Sequence, residues 1–277
     1  MIYHYTTKPE WQVALEKGVY YPKAYAQDGF IHCSDHYQLQ KTADNLFSYT
    51  PDLICLKINT DKLDAPVVYE NLEGGEMLFP HLYGPLPVEA VEIVFEMIKD
   101  ENGKNVLPPE QKFPGMALLT KMSVTTKGAL YRSPTPGSWM FDPKNEVFAQ
   151  LLEAGVNVAV VLSPEAEARK NSGGDLFNRY SEAGIDIVYA PTEDFSAPET
   201  GYWDKTIAQT IQLLKDGKNV VVHCHAGLGR TGMFMACLAQ DLLGLDADEA
   251  IKWTRQSIPW AIDTYLQKQF VRNYKKS

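Results

Sequence analysis

The chain has 277 residues, 45 % hydrophobic and 22 % charged, with a formal net charge of −9, and it is longer than a single core usually grows, so two domains are expected. No apolar run approaches the roughly 20 residues of a spanning helix, and Met1-Ile2-Tyr3-His4-Tyr5 lacks the basic start and apolar stretch of a secretory signal, so a cytoplasmic location is expected. Residues 1–110 hold eight Lys, no Arg and 17 acidic residues and carry the whole net charge, which excludes a surface built to neutralise a nucleic-acid backbone.

In chain order, Ile2–Tyr5 reads as a strand, followed by a helix from about Thr7 to Lys17 opened by Pro9 and ended by a turn at Gly18. A strand near Gly29–Cys33 and a polar helix from about Tyr37 to Phe47 come next. Asp52–Asn59, Val67–Tyr69 and Ala90–Met97 are then strands between Asn, Asp, Gly and Pro breaks, so residues 1–107 form an α+β domain. Three prolines and a glycine within Val106–Gly115 mark a linker over 108–118. Beyond it, Leu130–Tyr131, Asn157–Val161, Ile185–Tyr189 and Asn219–His223 read as strands. They alternate with helices over about Lys144–Ala154 (ended at Gly155), Trp203–Lys215 and Arg230–Leu243. That alternation predicts an α/β domain over 119–277 with a mostly parallel sheet between helices. Cys33, Cys55, Cys224 and Cys237 show no paired spacing and are expected to be free thiols.

The ten residues His223-Cys224-His225-Ala226-Gly227-Leu228-Gly229-Arg230-Thr231-Gly232 carry the most chemistry. A bare C-x5-R spacing means little, but here a β-branched strand leads into the Cys, a helix opens at the Arg and two glycines lie between. Five residues between a strand end and a helix start can curl so that successive N–H groups point inward and form an anion nest. Glycine permits the positive φ of that curl, and the helix adds its positive dipole end. Arg230 supplies a planar two-toothed donor for two phosphate oxygens, and the same field favours a negative sulfur on Cys224, so nucleophile and oxyanion cradle coincide. The bland alternative makes Cys224 a buried strand-end residue and Arg230 a surface helix residue; it leaves the glycines and the strand-loop-helix setting unexplained.

The segment resembles the signature loop of protein-tyrosine and dual-specificity phosphatases, HC-x-x-G-x-x-R-[S/T], at His223, Cys224, Gly227, Arg230 and Thr231. The resemblance implies a cysteine-phosphatase fold, attack by Cys224 through a phosphocysteine intermediate, a phosphate cradle at His225, Ala226, Gly227, Leu228, Gly229 and Arg230, and a Thr231 hydroxyl that helps the thiolate leave. It implies no cofactor and no metal.

A leaving oxygen needs a proton from a carboxylic acid on a separate loop. Tyr189-Ala190-Pro191-Thr192-Glu193-Asp194-Phe195-Ser196-Ala197-Pro198 follows a strand and offers Asp194, with Glu193 as rival and a solvated acidic turn as the ordinary alternative. This stretch resembles the P-x-x-D-F-x-x-P acid loop of compact dual-specificity phosphatases, which implies Asp194. Leu130–Gly137 resembles the same family's opening segment. Ala261-Ile262-Asp263-Thr264-Tyr265-Leu266-Gln267 resembles its pocket-bordering A-I-x-T-x-x-Q element, where Gln267 either orients a water or caps a helix. In all, the resemblance covers about residues 119–277. The long insertions of the classical tyrosine-specific enzymes are missing, which points to a shallow, permissive pocket. His225 and Leu228 stand where lipid phosphatases place lysines, which weighs against polyphosphoinositides.

In the first half, Ile2-Tyr3-His4-Tyr5, Gly29-Phe30-Ile31-His32-Cys33-Ser34 and Phe79-Pro80-His81-Leu82-Tyr83-Gly84-Pro85 set histidines among apolar residues. Hydrogen-bonded core histidines are the ordinary reading. A metal site is disfavoured, because His4, His32 and His81 lack i, i+4 or H-x-H spacing among themselves. Together these stretches resemble a bacterial family of unknown function related to the ADP-ribosyltransferase and RNA 2′-phosphotransferase fold. That implies a pocket at His4, His32, Ser34 and His81 that grips NAD or ADP-ribose, and an NAD-dependent transferase-like activity. The absence of arginine from this half departs from such enzymes, which set Arg on phosphate oxygens.

The sequence thus predicts a phosphatase acting on phosphotyrosine or phosphoserine/threonine proteins, with an accessory or nucleotide-binding first domain, and neither nucleic acid nor membrane as partner. Two alternatives remain open at this level: a small-molecule or phosphoinositide phosphatase, and a non-catalytic phosphate-binding module. Intact Cys224, Arg230 and Asp194 weigh against the second.

Overall fold

The computed structural model of the 277-residue chain describes residues 1–72, 78–111, 117–262 and 264–274. The chain divides into two compact units, residues 1–115 and 116–277. The boundary falls within the stretch 108–118 expected as a linker, of which Lys112–Met116 lie outside the described residues, as does Asp263 of the pocket-bordering stretch.

In the first unit β1 (Ile2–Thr7) runs into α1 (Lys8–Lys17); Thr7 caps this helix by accepting from the Glu10 N–H, and Gly18 closes it in the left-handed conformation. There follow β2 (Val19–Tyr20), the single turn α2 (Tyr25–Asp28), β3 (Ile31–His32), α3 (Leu39–Leu46), β4 (Leu53–Ile58), β5 (Val67–Glu70) and β6 (Phe79–Leu82). β7 (Leu86–Pro87), β8 (Val91–Glu96), β9 (Ile98–Lys99) and β10 (Asn105–Val106) complete it. β4 lies between β1 and β8 in an antiparallel sheet; β6 lies between β3 and β5 in a second, and β2–β7 and β9–β10 are short antiparallel pairs. Alternation along β1 and β4 sends Ile2, Ile54, Leu56 and Ile58 into one buried cluster with Trp11 and Tyr20, while Tyr3, Tyr5, Leu53 and Cys55 enter another with Leu39 and Phe95. The central sheet is therefore covered on both faces. Beyond the outer edge of β1, Tyr3 bridges to Ser34 through paired backbone bonds of 2.9 and 2.7 Å.

The second unit contains β11 (Thr120–Lys121), β12 (Leu130–Ser133), α4 (Val147–Glu153), β13 (Val158–Val161), α5 (Glu165–Ser172) and α6 (Leu176–Glu182). β14 (Asp186–Tyr189), α7 (Asp204–Lys215), β15 (Val220–His223), α8 (Gly229–Leu243), α9 (Ala247–Ser257) and α10 (Tyr265–Asn273) follow. The sheet order is β11-β12-β15-β13-β14, with β12, β15, β13 and β14 parallel and β11 antiparallel at one edge. Val221, Ala159 and Val161 face a cluster with Val147 and Leu151 of α4 and Leu176 and Tyr180 of α6. Val220 and Val222 point the other way, and α7 and α8 pack against β15. Five helices differ from the sequence expectation. α4 begins at Val147 rather than Lys144, and α5, α6 and α9, whose sequences give no extended apolar stripe, are additional to the elements expected from periodicity, as is α10.

β15 is a central strand whose three valines and His223 are all buried, as befits a strand flanked by parallel neighbours. Its start is pinned by Asn219. The Asn219 Oδ1 accepts from the Ala129 N–H (2.9 Å), and its Nδ2 donates to the carbonyls of Ala154 and Gly155 (both 3.1 Å). The side chain thereby ties β12, the end of α4 and β15 at the end of the sheet opposite the cysteine. Asn219→Ala should lower unfolding stability by about 2 kcal/mol, the sum expected for lost bonds that leave partly buried backbone groups unpaired. Urea unfolding checks this: a shifted midpoint at unchanged m is expected, and a change under about 0.5 kcal/mol would deny the tie.

Candidate active site

The carboxyl end of β15 delivers Cys224, which is 3 % exposed, into a loop that ends where α8 begins at Gly229. Gly227 holds φ at +72°, and a Cβ there would lie 2.3 Å from the Ser133 carbonyl oxygen, so both backbone conformation and space demand glycine. Thr135 fastens the loop from the β12 side, donating its hydroxyl to the Cys224 carbonyl (2.6 Å) and its N–H to the His225 carbonyl (2.9 Å). Among the described residues, the N–H groups of Ala226, Gly227, Leu228 and Gly229 donate to no protein acceptor. The loop therefore presents a run of unused donors at a helix N-terminus, as an anion nest requires.

Arg230 is not a surface residue: it is 1 % exposed. Glu167 of α5 accepts from both terminal nitrogens, Nη1 to Oε2 at 2.8 Å and Nη2 to Oε1 at 2.7 Å. Nη1 also donates to the Thr192 carbonyl at 3.0 Å, and Nη2 lies 3.0 Å from Asp194 Oδ1. Burial disfavours the guanidinium charge, but Asp194, Cys224 and Glu167 together outweigh it and hold the cation above its ordinary range. The buried Nε has no partner among the described residues. An unpaired buried donor on a fixed cation beside a nest of free N–H groups is a receptor for an oxyanion.

His223 and Cys224 are oriented from behind. The His223 imidazole is fully buried, within 2.9 Å of the Tyr180 hydroxyl, and burial pushes it down to about 4, so it stays neutral. Arg132 on β12 is also buried; burial lowers it to about 10, opposed by Cys224, which places a second cation in the field of the sulfur. Thr231 is fully buried and its hydroxyl has no partner among the described residues. Gln267, the third residue of α10, is buried over the start of α8, where its Nε2 would lie 2.5 Å from a Cβ on Gly229. Capping of α10 is done by Thr264, which accepts from the Gln267 N–H.

Asp194 stands on the loop after β14, with Phe195 beside it at φ +59°. Its contact with Arg230 brings it into the site, while Glu193 is exposed and takes no part in these contacts. His225 packs edge-on against Phe141 (5.0 Å between centroids), and burial lowers its pKa against the opposing pull of Asp194 and Glu167. Glu167, Asp194 and His225 bring potential ligand atoms within 4.8 Å of one another. A metal ion there would have to displace Arg230 from both carboxylates, so this donor set fits the guanidinium better than a second cation.

Cys224, His225, Ala226, Gly227, Leu228, Gly229, Arg230, Thr231, Asp194 and Gln267 thus belong to one site. Glu167 is the residue that sequence reasoning missed. It is one acid among several in a hydrophilic helix, and only the fold shows that it meets Arg230. In the first unit, His4, His32 and Ser34 line a common cavity. His81 stands behind them, its ring 5.1 Å from His32 and 4.4 Å from Phe30, with Nδ1 3.2 Å from Glu70 Oε1.

Residues 136–241 match the family described as polymorphic toxin system, DSP-PTPase phosphatase, and residues 5–94 match the protein family of unknown function DUF952. The mouse protein tyrosine phosphatase domain-containing protein 1 is 32 % identical over 140 residues, 47 % of this chain and 18 % of that protein. The Caenorhabditis elegans tyrosine-protein phosphatase cdc-14 is 35 % identical over 99 residues, 35 % of this chain and 13 % of that one. The chain thus spans under a fifth of the length of these two relatives. A kinase associated phosphatase with serine in place of its catalytic-site cysteine shares the fold, with a TM-score of 0.52 at 21 % identity over 57 % of this chain and 93 % of that one. Protein CC0527 of Caulobacter crescentus is 32 % identical, covering 40 % of this chain and 96 % of that one, with a TM-score of 0.37. The chain joins a DUF952 domain to a phosphatase domain of the tyrosine/dual-specificity type.

Glu167→Gln should lower kcat/KM by about 10²-fold, the cost of a reactive group misplaced by about 1 Å, with weaker vanadate binding in parallel. Steady-state kinetics on p-nitrophenyl phosphate check this, and unchanged kcat/KM would deny that Glu167 positions Arg230.

Proposed function

We propose that this chain hydrolyses phosphate monoesters through a phosphocysteine intermediate, with phosphotyrosine or phosphoserine/threonine proteins as substrates. The observation that carries the reading is the Arg230 Nε left unpaired beside free loop N–H groups, on a cation fixed by Glu167. In the first step the Cys224 thiolate forms an S–P bond as the P–O bond to the leaving group breaks, and Asp194 gives that oxygen its proton. In the second, water forms a new P–O bond, its proton returns to Asp194, and the S–P bond breaks with the Thr231 hydroxyl donating to the departing sulfur. The loop N–H groups and Arg230 hold the equatorial oxygens throughout. Gln267, over the Gly229 N–H end, is placed to orient the water. His225 and Leu228 supply no fixed positive charge for a second phosphate, which favours monophosphorylated substrates over phosphoinositides. A thiol nucleophile needs a reducing compartment, and with Cys33, Cys55, Cys224 and Cys237 all unbridged we place the protein in the cytoplasm. No helix among the described residues is long and apolar enough to cross a membrane.

Cys224→Ser should abolish turnover of p-nitrophenyl phosphate while vanadate still binds, because the cradle survives without its nucleophile. Asp194→Asn should slow alkyl phosphate hydrolysis by roughly 10²–10⁴-fold and an activated aryl ester far less, since that leaving group departs unprotonated. Equal losses on both esters, or a larger loss from Glu193→Gln, would remove Asp194 from the role.

A second reading concerns the first unit, because His4, His32 and Ser34 do share a cavity. It takes the ADP-ribosyltransferase-like relation as its guide and assigns NAD or ADP-ribose as ligand, with a transferase-like activity. Calorimetry on the full chain should show saturable NAD binding that His32→Ala weakens; silence up to millimolar ligand would remove it.

A further inference from the structure

The cavity of the first unit has a volume of about 380 Å³, within the range of small-molecule sites. Tyr3, Tyr5, Tyr20, Phe30, Phe47 and Phe79 supply ring surface around it. Its polar wall is mostly neutral. His4 is buried, its Nδ1 N–H donates to the His32 carbonyl at 2.6 Å, its Nε2 is hydrogen-bonded to the Tyr20 hydroxyl at 3.0 Å, and burial pushes it down to about 4. The Tyr20 hydroxyl lies 2.9 Å from Thr6 Oγ1, and Thr6 donates to Glu10 Oε2 at 3.1 Å. Ser34 and Thr42 share a 3.3 Å hydrogen bond, and Asn45 adds an amide.

The charges at the rim decide what such a wall can accept. Lys23, the one lysine on the lining, is held 2.9 Å from Glu10 Oε1. His32 leans on Asp28 at 3.4 Å, and residues 1–110 contain no arginine. Phosphate groups are bound by Arg, Lys or a free helix N-terminus. Here α1 opens on Thr7, whose hydroxyl caps the helix by accepting from Glu10 N–H, and the rim carboxylate would repel an anion. Aromatic walls of this kind instead stack a planar ring and place hydroxyls and an amide at its edges.

We infer that this cavity is a binding site for a non-anionic planar heteroaromatic compound of nucleoside size, recognised through its ring rather than through phosphate. The inference rests on the reading that the cavity is a ligand site and deepens it. If a dinucleotide enters, its ring end supplies the affinity and its pyrophosphate stays in solvent.

The test is calorimetry on the full chain with nicotinamide, adenosine, ADP and NAD as probes, each at about 50 and 500 mM salt. At least one of the two uncharged ring compounds should bind within about threefold of its phosphorylated counterpart. Its Kd should change by less than about twofold with salt, because no phosphate charge is being neutralised. Phe79→Ala should weaken it by about tenfold or more through lost stacking, and Leu46→Trp, at a 62 % exposed position on the cavity lining, should block it without touching the core. Binding of NAD or ADP at least tenfold tighter than either uncharged probe, falling steeply with salt, would overturn the ring-only inference while leaving the ligand-site reading intact. No binding of any of the four probes would overturn both.

Discussion

Much of the second unit is arranged around one buried cation. Arg230 sits at 1 % exposure with two nitrogens on Glu167 and a third left open. A buried guanidinium costs several kcal/mol to desolvate and is tolerated only when its donors are met. Glu167 meets the two that fix its plane, and the remaining Nε is the donor that a bound oxyanion would complete. Asp194 also lies against Nη2, so its carboxylate would compete with a bound oxyanion for the same charge. A phosphoryl group seated on the guanidinium would displace Asp194 from Nη2. Elements far apart in the chain converge on the guanidinium: the loop after β15, α5, and the loop after β14.

The sheet explains why the convergence is reproducible. β15 is the central parallel strand, paired with β12 and β13, and the loops after β15, β12 and β14 emerge at the same carboxyl-terminal side, where open α/β sheets place their ligands. The Thr135 bonds to the Cys224 and His225 carbonyls and the close approach of Gly227 to Ser133 turn that adjacency into a fixed cradle. The first unit follows another logic. Its residues 1–110 sum to a charge of −9, and it has no arginine and surrounds a cavity with rings. A ring-lined cavity with a mostly neutral polar wall and a loop of free N–H groups beside a buried guanidinium differ in chemistry, so the two units do not duplicate one another.

What could be read in the sequence was what is local. The loop from His223 to Gly232 announces itself because nucleophile, glycines and arginine are contiguous, and Asp194 because prolines frame its loop. The strands 2–7, 53–58, 91–96 and 220–223 were legible from β-branched and apolar runs. Glu167 was not, because its role depends on α5 being carried by β13 to the side of Arg230, and nothing in Glu-Ala-Glu-Ala-Arg-Lys distinguishes the working carboxylate from Glu165, which pairs with Arg169 instead. The three histidine stretches were visible as a set, yet their division was not: β3 and β6 pair His32 with His81 in register, and the side chain of His81 packs inward toward Glu70, behind the cavity wall. Short helices such as α6 were missed because seven residues with two buried side chains give too little periodicity.

The open Arg230 Nε and the loop N–H groups together make a receptor for an oxyanion in front of Cys224. A crystal structure with tungstate tests it most directly. The oxyanion should be seated on the N–H groups of residues 226–230 and on Arg230 Nε, with Glu167 still paired to the guanidinium and Asp194 moved off Nη2. Tungstate bound elsewhere, or an Asp194 that keeps its contact while the loop stays empty at saturating tungstate, would contradict it.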